Sequence, residues 1–409
     1  MERYTFLRKI SLLLIALSTF SILPAQKILK PVKTLIKAKN GSEALKQVQN
    51  LEKDSVAARL PQLYDYGKQA QILINNTENE KAFLKQAYDT AGFFNSTLGI
   101  YEYILKCEQE EQRRLAEGEA RMKFHRENSE ILHRYIANIN AGGRYFYSKQ
   151  KYAEAMNFFR LFLDVPQLSI WGADKHITAT PVYANNAYLY QKCAYLNKDY
   201  EAVERYKAIN LSDTTSRRST SLEYLALAAT ARKDTAALVG YLQEGVDDFP
   251  ANMFFFTRLA DHYAANENFN ALLDLSDTML KRDSLNFIVL EARSLALMRL
   301  SRYEEAISTA VACIDADSSQ VDPYYYVGAA YCYMALDVKM PTSVGSKTYV
   351  EAMNRRRDCY QKARLYLEKY RSLAPEEKSK WAPLLYRVYF SLNLGKQFDE
   401  ISKMAEAKS

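Results

Sequence analysis

The segment Tyr303-Glu304-Glu305-Ala306-Ile307 decides how this 409-residue chain is read. An aromatic residue, two acids and a small residue open an apolar helical stretch. The small residue marks where a neighbouring helix can come close. Placing Ala306 at position 20 of a 34-residue ruler sets a start at 287. One period earlier, from 253, Phe256, Leu259, Ala260 and Tyr263 fall at positions 4, 7, 8 and 11, and Phe269 takes the place of Tyr303. From 219, Leu222, Leu225, Ala226 and Ala229 fill the same four places; from 321, Tyr324, Val327, Gly328 and Tyr331 do. The spacing 4, 7, 8, 11 is one face of an α-helix. A sustained period of this length is the mark of a stacked repeat array.

Working outward, Gly143, Phe146, Tyr152, Ala155 and Phe159 fit a start at 136, and Tyr200 fits a looser one at 184. Asp164 to Thr180 is too long for an ordinary junction. The repeat at 321 is also interrupted. Its second helix, read from Ala363, Leu367, Tyr370 and Pro375, belongs to a ruler starting at 344, which implies 23 inserted residues. Within them, a loop around Met340-Pro341 and Gly345 precedes a helical stretch from Lys347 towards Arg357. The next start, 378, carries Trp381, Leu384, Leu385 and Val388, and Gln397 to Met404 is read as a closing helix.

The pattern resembles the tetratricopeptide repeat (TPR) superfamily over residues 136–404. The resemblance implies an all-α fold without β-sheet: a TPR-like α-solenoid of antiparallel helix pairs forming a right-handed superhelix. The expected organisation is a signal peptide at 1–25, irregular N-terminal helices at 26–130 and a solenoid at 131–404. Its repeats start near 136, 184, 219, 253, 287, 321 and 378, with insertions near 164–181 and 335–357. Val203, Leu238 and Leu272 stand at position 20, where small residues are usual, and imply wider helix spacing there; Gln191 replaces a small residue at position 8. Ahead of the array, Leu60 to Ile74 and Glu80 to Lys106 read as a longer helix pair. The charge-dense run 107–130 reads as an exposed helix or linker.

The first residues read as an export signal. Arg3, Arg8 and Lys9 precede an apolar stretch from Ile10 to Leu23, and Pro24-Ala25-Gln26 supplies a cleavage site. The alternative, a membrane anchor, wants about 20 apolar residues. No cysteine precedes Cys107, so no lipidation site lies beside the cut. The expected product is exported, periplasmic or envelope-associated, soluble and not a lipoprotein, with no transmembrane segment after cleavage. Residues 1–39 hold eight basic residues against Glu2 alone, which accounts for the whole net charge of +7. The rest of the chain is balanced, and a nucleic-acid partner is not expected. The five cysteines form no paired spacing and are expected as buried free thiols, although Cys313 and Cys332 could be neighbours.

The four histidines, at 125, 133, 176 and 262, form no ligand cluster, and no phosphate loop, dinucleotide fingerprint or nucleophile elbow occurs. No catalytic residue, metal or cofactor is expected. What stands out is 31 tyrosines. Many occupy ruler positions where core packing explains them. The TPR resemblance implies a concave groove lined by first-helix positions 2, 5, 9, 12 and 13. These hold Asn140, Arg144 and Tyr147, then Tyr188, Lys192 and Tyr195, and later Tyr325 and Tyr333. Tyrosines beside a few cations suit a protein or peptide partner; an ordinary hydrated groove is the other reading. The Lys/Asn/Arg carboxylate clamp of some TPR families is not reproduced.

The expected function is a periplasmic or envelope TPR scaffold that binds a protein partner or peptide segment in its groove. The alternative is a SusD-like or other glycan-uptake binding protein, a family that also carries TPR helices but whose members are longer, anchored lipoproteins. An enzyme with its site in the insertions comes last. Finally, Asp followed by Ser or Thr and then an aliphatic residue, Met or Thr places candidates at Ser55, Thr90, Thr214, Thr235, Thr278 and Ser284. This resembles the O-glycosylation signal of exported Bacteroidota proteins. Helix capping explains the same residue types, except at Asp277-Thr278, which falls inside an expected helix.

Overall fold

Glycine inside a helix destabilises it unless something needs the missing side chain. The computed structural model, which describes residues 27–406, shows the need at two ruler glycines. A Cβ on Gly143 would stand 2.6 Å from Cε1 of Phe159, and one on Gly328 would stand 2.6 Å from Cγ of Leu367. Both glycines hold position 8 of a first helix, and both partners hold position 24 of the paired second helix. The first helix offers a notch and the second fills it with a fully buried side chain.

Helix pairs make up most of the described residues, which contain no β-strand. Among the described residues the fold is all-α and TPR-like, of antiparallel helix pairs in two compact units that divide between Leu238 and Val239. In the first unit, α1 (Lys30–Lys37) and α2 (Gly41–Leu51) precede a long pair, α3 (Pro61–Phe83) and α4 (Thr90–Ala116). Next come α5 (His125–Ser148) and α6 (Tyr152–Asp164), then α7 (Pro181–Leu196), the short α8 (Lys207–Leu211) and α9 (Arg217–Arg232). The unit boundary falls within α10 (Thr235–Asp248). The second unit pairs α11 (Met253–Ala265) with α12 (Phe269–Leu280) and α13 (Phe287–Arg299) with α14 (Tyr303–Ala316). After these, α15 (Asp322–Asp337) pairs with α16 (Lys347–Leu373), and α17 (Lys378–Ser391) with α18 (Gly395–Glu406). The export leader read at 1–25 lies outside the described residues.

Several details differ from the sequence reading, each for a local reason. The second helix of the long N-terminal pair begins at Thr90 rather than near Glu80, because Asp89 caps it by accepting from the Gly92 N–H at 2.9 Å. The run 107–130 is exposed over 115–121, as its charges suggest, but not throughout. Glu108 and Glu111 are buried on α4. Glu111 accepts the Phe124 N–H at 3.0 Å, and Glu108 meets His125 Nδ1 at 2.9 Å, which ties the start of α5 back to α4. Beneath the same helices Lys68 is fully buried, with its ammonium 2.8 Å from Asp65 and 2.9 Å from Asn128 Oδ1.

Gln191, the large residue at position 8, explains the broken repeat at 184. Its Oε1 accepts from Ser221 Oγ at 2.6 Å and from Asn210 Nδ2 at 3.2 Å. A buried amide takes the notch, so no regular second helix forms; its place is held by a single 3-10 turn, Ala202–Glu204, and the short α8. The first insertion packs down instead of looping out. Ile170 and Trp171 are buried, and the His133 ring lies 3.8 Å from that of Trp171, with Nε2 on the Trp171 carbonyl at 2.9 Å. The second insertion lengthens α16 at its N-terminal end. All five cysteines are buried and unbridged. Cys332 and Cys359 belong to one buried apolar cluster, and burial pushes Cys107, Cys193 and Cys332 up to about 12.

One periodic feature left no trace in the sequence. Gln150, Lys198, Lys233, Glu267 and Ser301 all adopt φ between 55° and 60°, and all five occupy position 15 of their repeats. The next amide reaches back five residues each time: Lys151 to Phe146, Asp199 to Ala194, Asp234 to Ala229, Asn268 to Tyr263 and Arg302 to Leu297. This is the Schellman closure of a helix C-terminus, usually made by glycine. A side chain in the left-handed region costs roughly 1–2 kcal/mol, partly offset by the greater freedom glycine has when unfolded. We therefore expect Glu267→Gly or Ser301→Gly to raise stability by about 0.5–1 kcal/mol in urea unfolding followed by circular dichroism. The matching alanine variants should gain nothing; an equal gain for alanine would contradict the assignment.

Candidate binding surface on the first helices

In the first unit, six of the residues singled out at groove positions lie on two adjacent first helices. Asn140, Arg144 and Tyr147 are on α5, and Tyr188, Lys192 and Tyr195 on α7. They form two linked groups. Asn140 Oδ1 accepts from Arg144 Nε at 3.3 Å and from Asn186 Nδ2 across the pair at 3.0 Å. The Lys192 ammonium sits 5.6 Å from the Tyr147 ring centre, and hydrogen bonding to Tyr147 holds its pKa above the usual lysine value. Tyr188 and Tyr195 converge on Tyr224 of α9, with ring centres 6.4 and 5.0 Å apart. Burial, followed by the charge of Tyr188, pushes Tyr224 up to about 12. The result is a half-exposed tyrosine surface around one ammonium, with the exposed Arg144 guanidinium at its edge.

Tyr325 and Tyr333 lie in the second unit on α15. Tyr325 packs between Tyr326 and Tyr370, with ring centres 5.6 and 5.4 Å away. Tyr333 is 37% exposed and stacks on Tyr303 at 6.0 Å.

The second unit also contains a recess of about 220 Å³. Thr257, Asp261 and Ala264 of α11 and Ile288, Glu291 and Leu295 of α13 line it. On the ruler these are positions 5, 9 and 12, then 2, 5 and 9, the same positions that carry the tyrosine surface. They passed unnoticed because they are not aromatic. Tyr224 and Tyr326 were missed for another reason: both stand at position 6. Helical side chains lean towards the N-terminus, so a residue one place later covers the same spot. A search of positions 5 and 6 together would have found both.

The six Asp-Ser/Thr sites are spread over the surface. Ser55, Thr214, Thr235, Thr278 and Ser284 are exposed, and Thr90 is half-exposed. At five of them the aspartate already holds a turn or helix start: Asp54, Asp89, Asp213, Asp234 and Asp283 each accept a backbone N–H two or three residues on. Asp277 instead pairs with Arg293 at 2.6 Å in the middle of α12. Among the described residues, no group of three or more His, Cys, Asp or Glu is placed to hold a metal ion, and no helix is long and apolar enough to cross a membrane.

No protein-family model and no curated protein matches the chain. Solved structures similar to it include the C-terminal part of a TPR repeat-containing protein from Cytophaga hutchinsonii, at 14% identity over 64% of this chain and 93% of that one, with a TM-score of 0.41. Yeast Tom70 is similar at 11% identity over 94% and 91%, with a TM-score of 0.27. The TPR2AB domain of yeast Sti1, in complex with pHSP90, is similar at 14% identity over 63% and 98%, with a TM-score of 0.23. At TM-scores this low, the fold rests on the chain's own helix pairing.

The Tyr147–Lys192 contact can be read directly. The hydrogen bond raises the lysine pKa, so removing it should lower that pKa. In Tyr147→Phe the Lys192 titration, followed by carbon-13 NMR of labelled lysine side chains, should move to lower pH. An unchanged midpoint would show that the Tyr147 hydroxyl does not act on the ammonium.

Proposed function

We propose that this protein is an exported, envelope-located scaffold that holds a segment of a partner protein on its first-helix faces and performs no chemistry of its own. The observation that carries this reading is the gathering of Tyr147, Tyr188, Tyr195 and Tyr224 around Lys192. Tyrosine offers a large, stiff, amphipathic contact surface with little side-chain entropy to lose. The ammonium, with Arg144 near it, favours backbone carbonyls and carboxylates of an extended segment. Tyr325 and Tyr333 would add a second aromatic patch. If the surface is the site, Tyr147→Ala and Tyr188→Ala should each weaken a co-purified partner by about 2 kcal/mol or more, as truncation of aromatic hot spots does. Unchanged affinity in folded variants would remove this face from consideration.

Export is supported by the leader pattern ending at Ala25, and O-glycosylation by the exposure of its candidate sites, above all Thr278, where capping supplies no other reason for the motif. Both bear on the mature mass. Intact mass measurement of the protein from its native host should give a chain beginning at Gln26, with heavier species differing by a glycan. A full-length mass contradicts cleavage, and a single unmodified mass contradicts glycosylation.

A further inference from the structure

The recess on the second unit has a composition unlike that of the tyrosine surface. Its walls are largely apolar, from Phe256, Ala260, Leu272 and Leu295, and its polar side chains are the carboxylates of Asp261 and Glu291 and the hydroxyls of Thr257 and Tyr326. Glu291 is half-buried within it. Its carboxylate accepts only the Tyr326 hydroxyl, at 3.3 Å, and no ion pair reaches it among the described residues. Asp261 is exposed and also meets no cation there. The nearest basic group, Lys380, lies 3.5 Å from Asp322 and is committed to it. A carboxylate set among apolar walls without a cation is unfavourable, and burial, followed by the Asp322 charge, holds Glu291 above the usual carboxylate range. The volume, about 220 Å³, is smaller than the ~300–1,000 Å³ that drug-sized ligands occupy. It suits one long side chain.

We propose that this recess receives a single arginine side chain from a partner segment, with its methylene stem against Leu272 and Leu295 and its guanidinium on Glu291 and Asp261. Arginine fits better than lysine on three grounds. Its guanidinium is more weakly hydrated, it can engage a carboxylate through two donors, and it stacks on aromatic faces. The proposal rests on the reading of first-helix faces as the partner surface and adds the chemistry that one point on that surface selects.

The test uses the mature chain and three blocked peptides, acetyl-Ala-Xaa-Ala-amide with Xaa as arginine, lysine or norleucine, titrated by ligand-observed NMR. The arginine peptide should bind most tightly. Glu291→Gln keeps the shape and the Tyr326 contact but removes the charge, and should weaken the arginine peptide by about tenfold. Leu295→Trp, which fills the recess, should abolish binding. A readout without any variant is the carbon-13 titration of the Glu291 carboxyl. Asp261 of α11, Cys313 of α14, Asp322 and Tyr326 of α15 and Lys380 of α17 face that carboxyl. A bound guanidinium favours the ionised form, so saturating arginine peptide should shift the titration to lower pH, and affinity should rise as pH rises through it. Equal affinity for the norleucine peptide, tighter binding of the lysine peptide, no loss in Glu291→Gln or an unmoved titration each overturn the proposal. The Tyr147 and Tyr188 variants probe the other unit, so a recess indifferent to arginine beside a tyrosine face that still holds a partner would leave the scaffold reading standing.

Discussion

The fit of a side chain at position 24 into a notch at position 8 is the constraint on which the other features depend. It sets how close the two helices of a pair come, as at Gly143 with Phe159 and Gly328 with Leu367. That distance determines which side chains are enclosed within the pair and which face outward. Interiors pack at the density of organic crystals, so a residue that cannot enter the notch forces a different local structure. The pair at 184 shows the alternative. A buried amide there needs hydrogen-bond partners; Asn210 and Ser221 supply them to its oxygen where a continuous second helix would otherwise stand, while its Nε2 meets none among the described residues.

The period, the helix pairs and their order were legible because packing at fixed spacing writes itself into residue size. Features that depend on backbone closure were not. Position 15 carries Gln, Lys, Lys, Glu and Ser in five repeats, a set without a common side-chain property, because the closure uses main-chain groups only. The charge run beyond residue 107 misled for a related reason. Glu108 and Glu111 look solvated until the adjoining loop turns back and presents its amides and His125. A carboxylate that will accept such bonds has the same letter as one that points to water.

The candidate surfaces were half legible. The resemblance to TPR proteins indicated which helix positions to inspect, and those positions hold both the tyrosines on α5 and α7 and the recess on α11 and α13. Residue type was the weaker guide. Searching for aromatic residues found Tyr147, Tyr188 and Tyr195 but passed over Glu291 and Asp261, whose interest comes from the apolar walls beside them and from the lack of an ion pair to either among the described residues. The two surfaces also differ in sign: an ammonium and a guanidinium in the first unit, two carboxylates in the second.

The Schellman closures bear on how such a chain can change length. The first helices α5, α7, α9, α11 and α13 are terminated by their own main-chain bonds, so their ends are independent of the next element in the chain; α15 has no such closure, its end passing into extended backbone at Val338. Extra sequence entering after Asp337 is absorbed where it enters, and the pair α17 and α18 resumes beyond α16 with its core residues Trp381, Leu385 and Val388 buried. A barrel or an open sheet cannot gain a segment so easily, since each strand must keep step with its neighbours. Here each closed turn resets the count for the pair it joins.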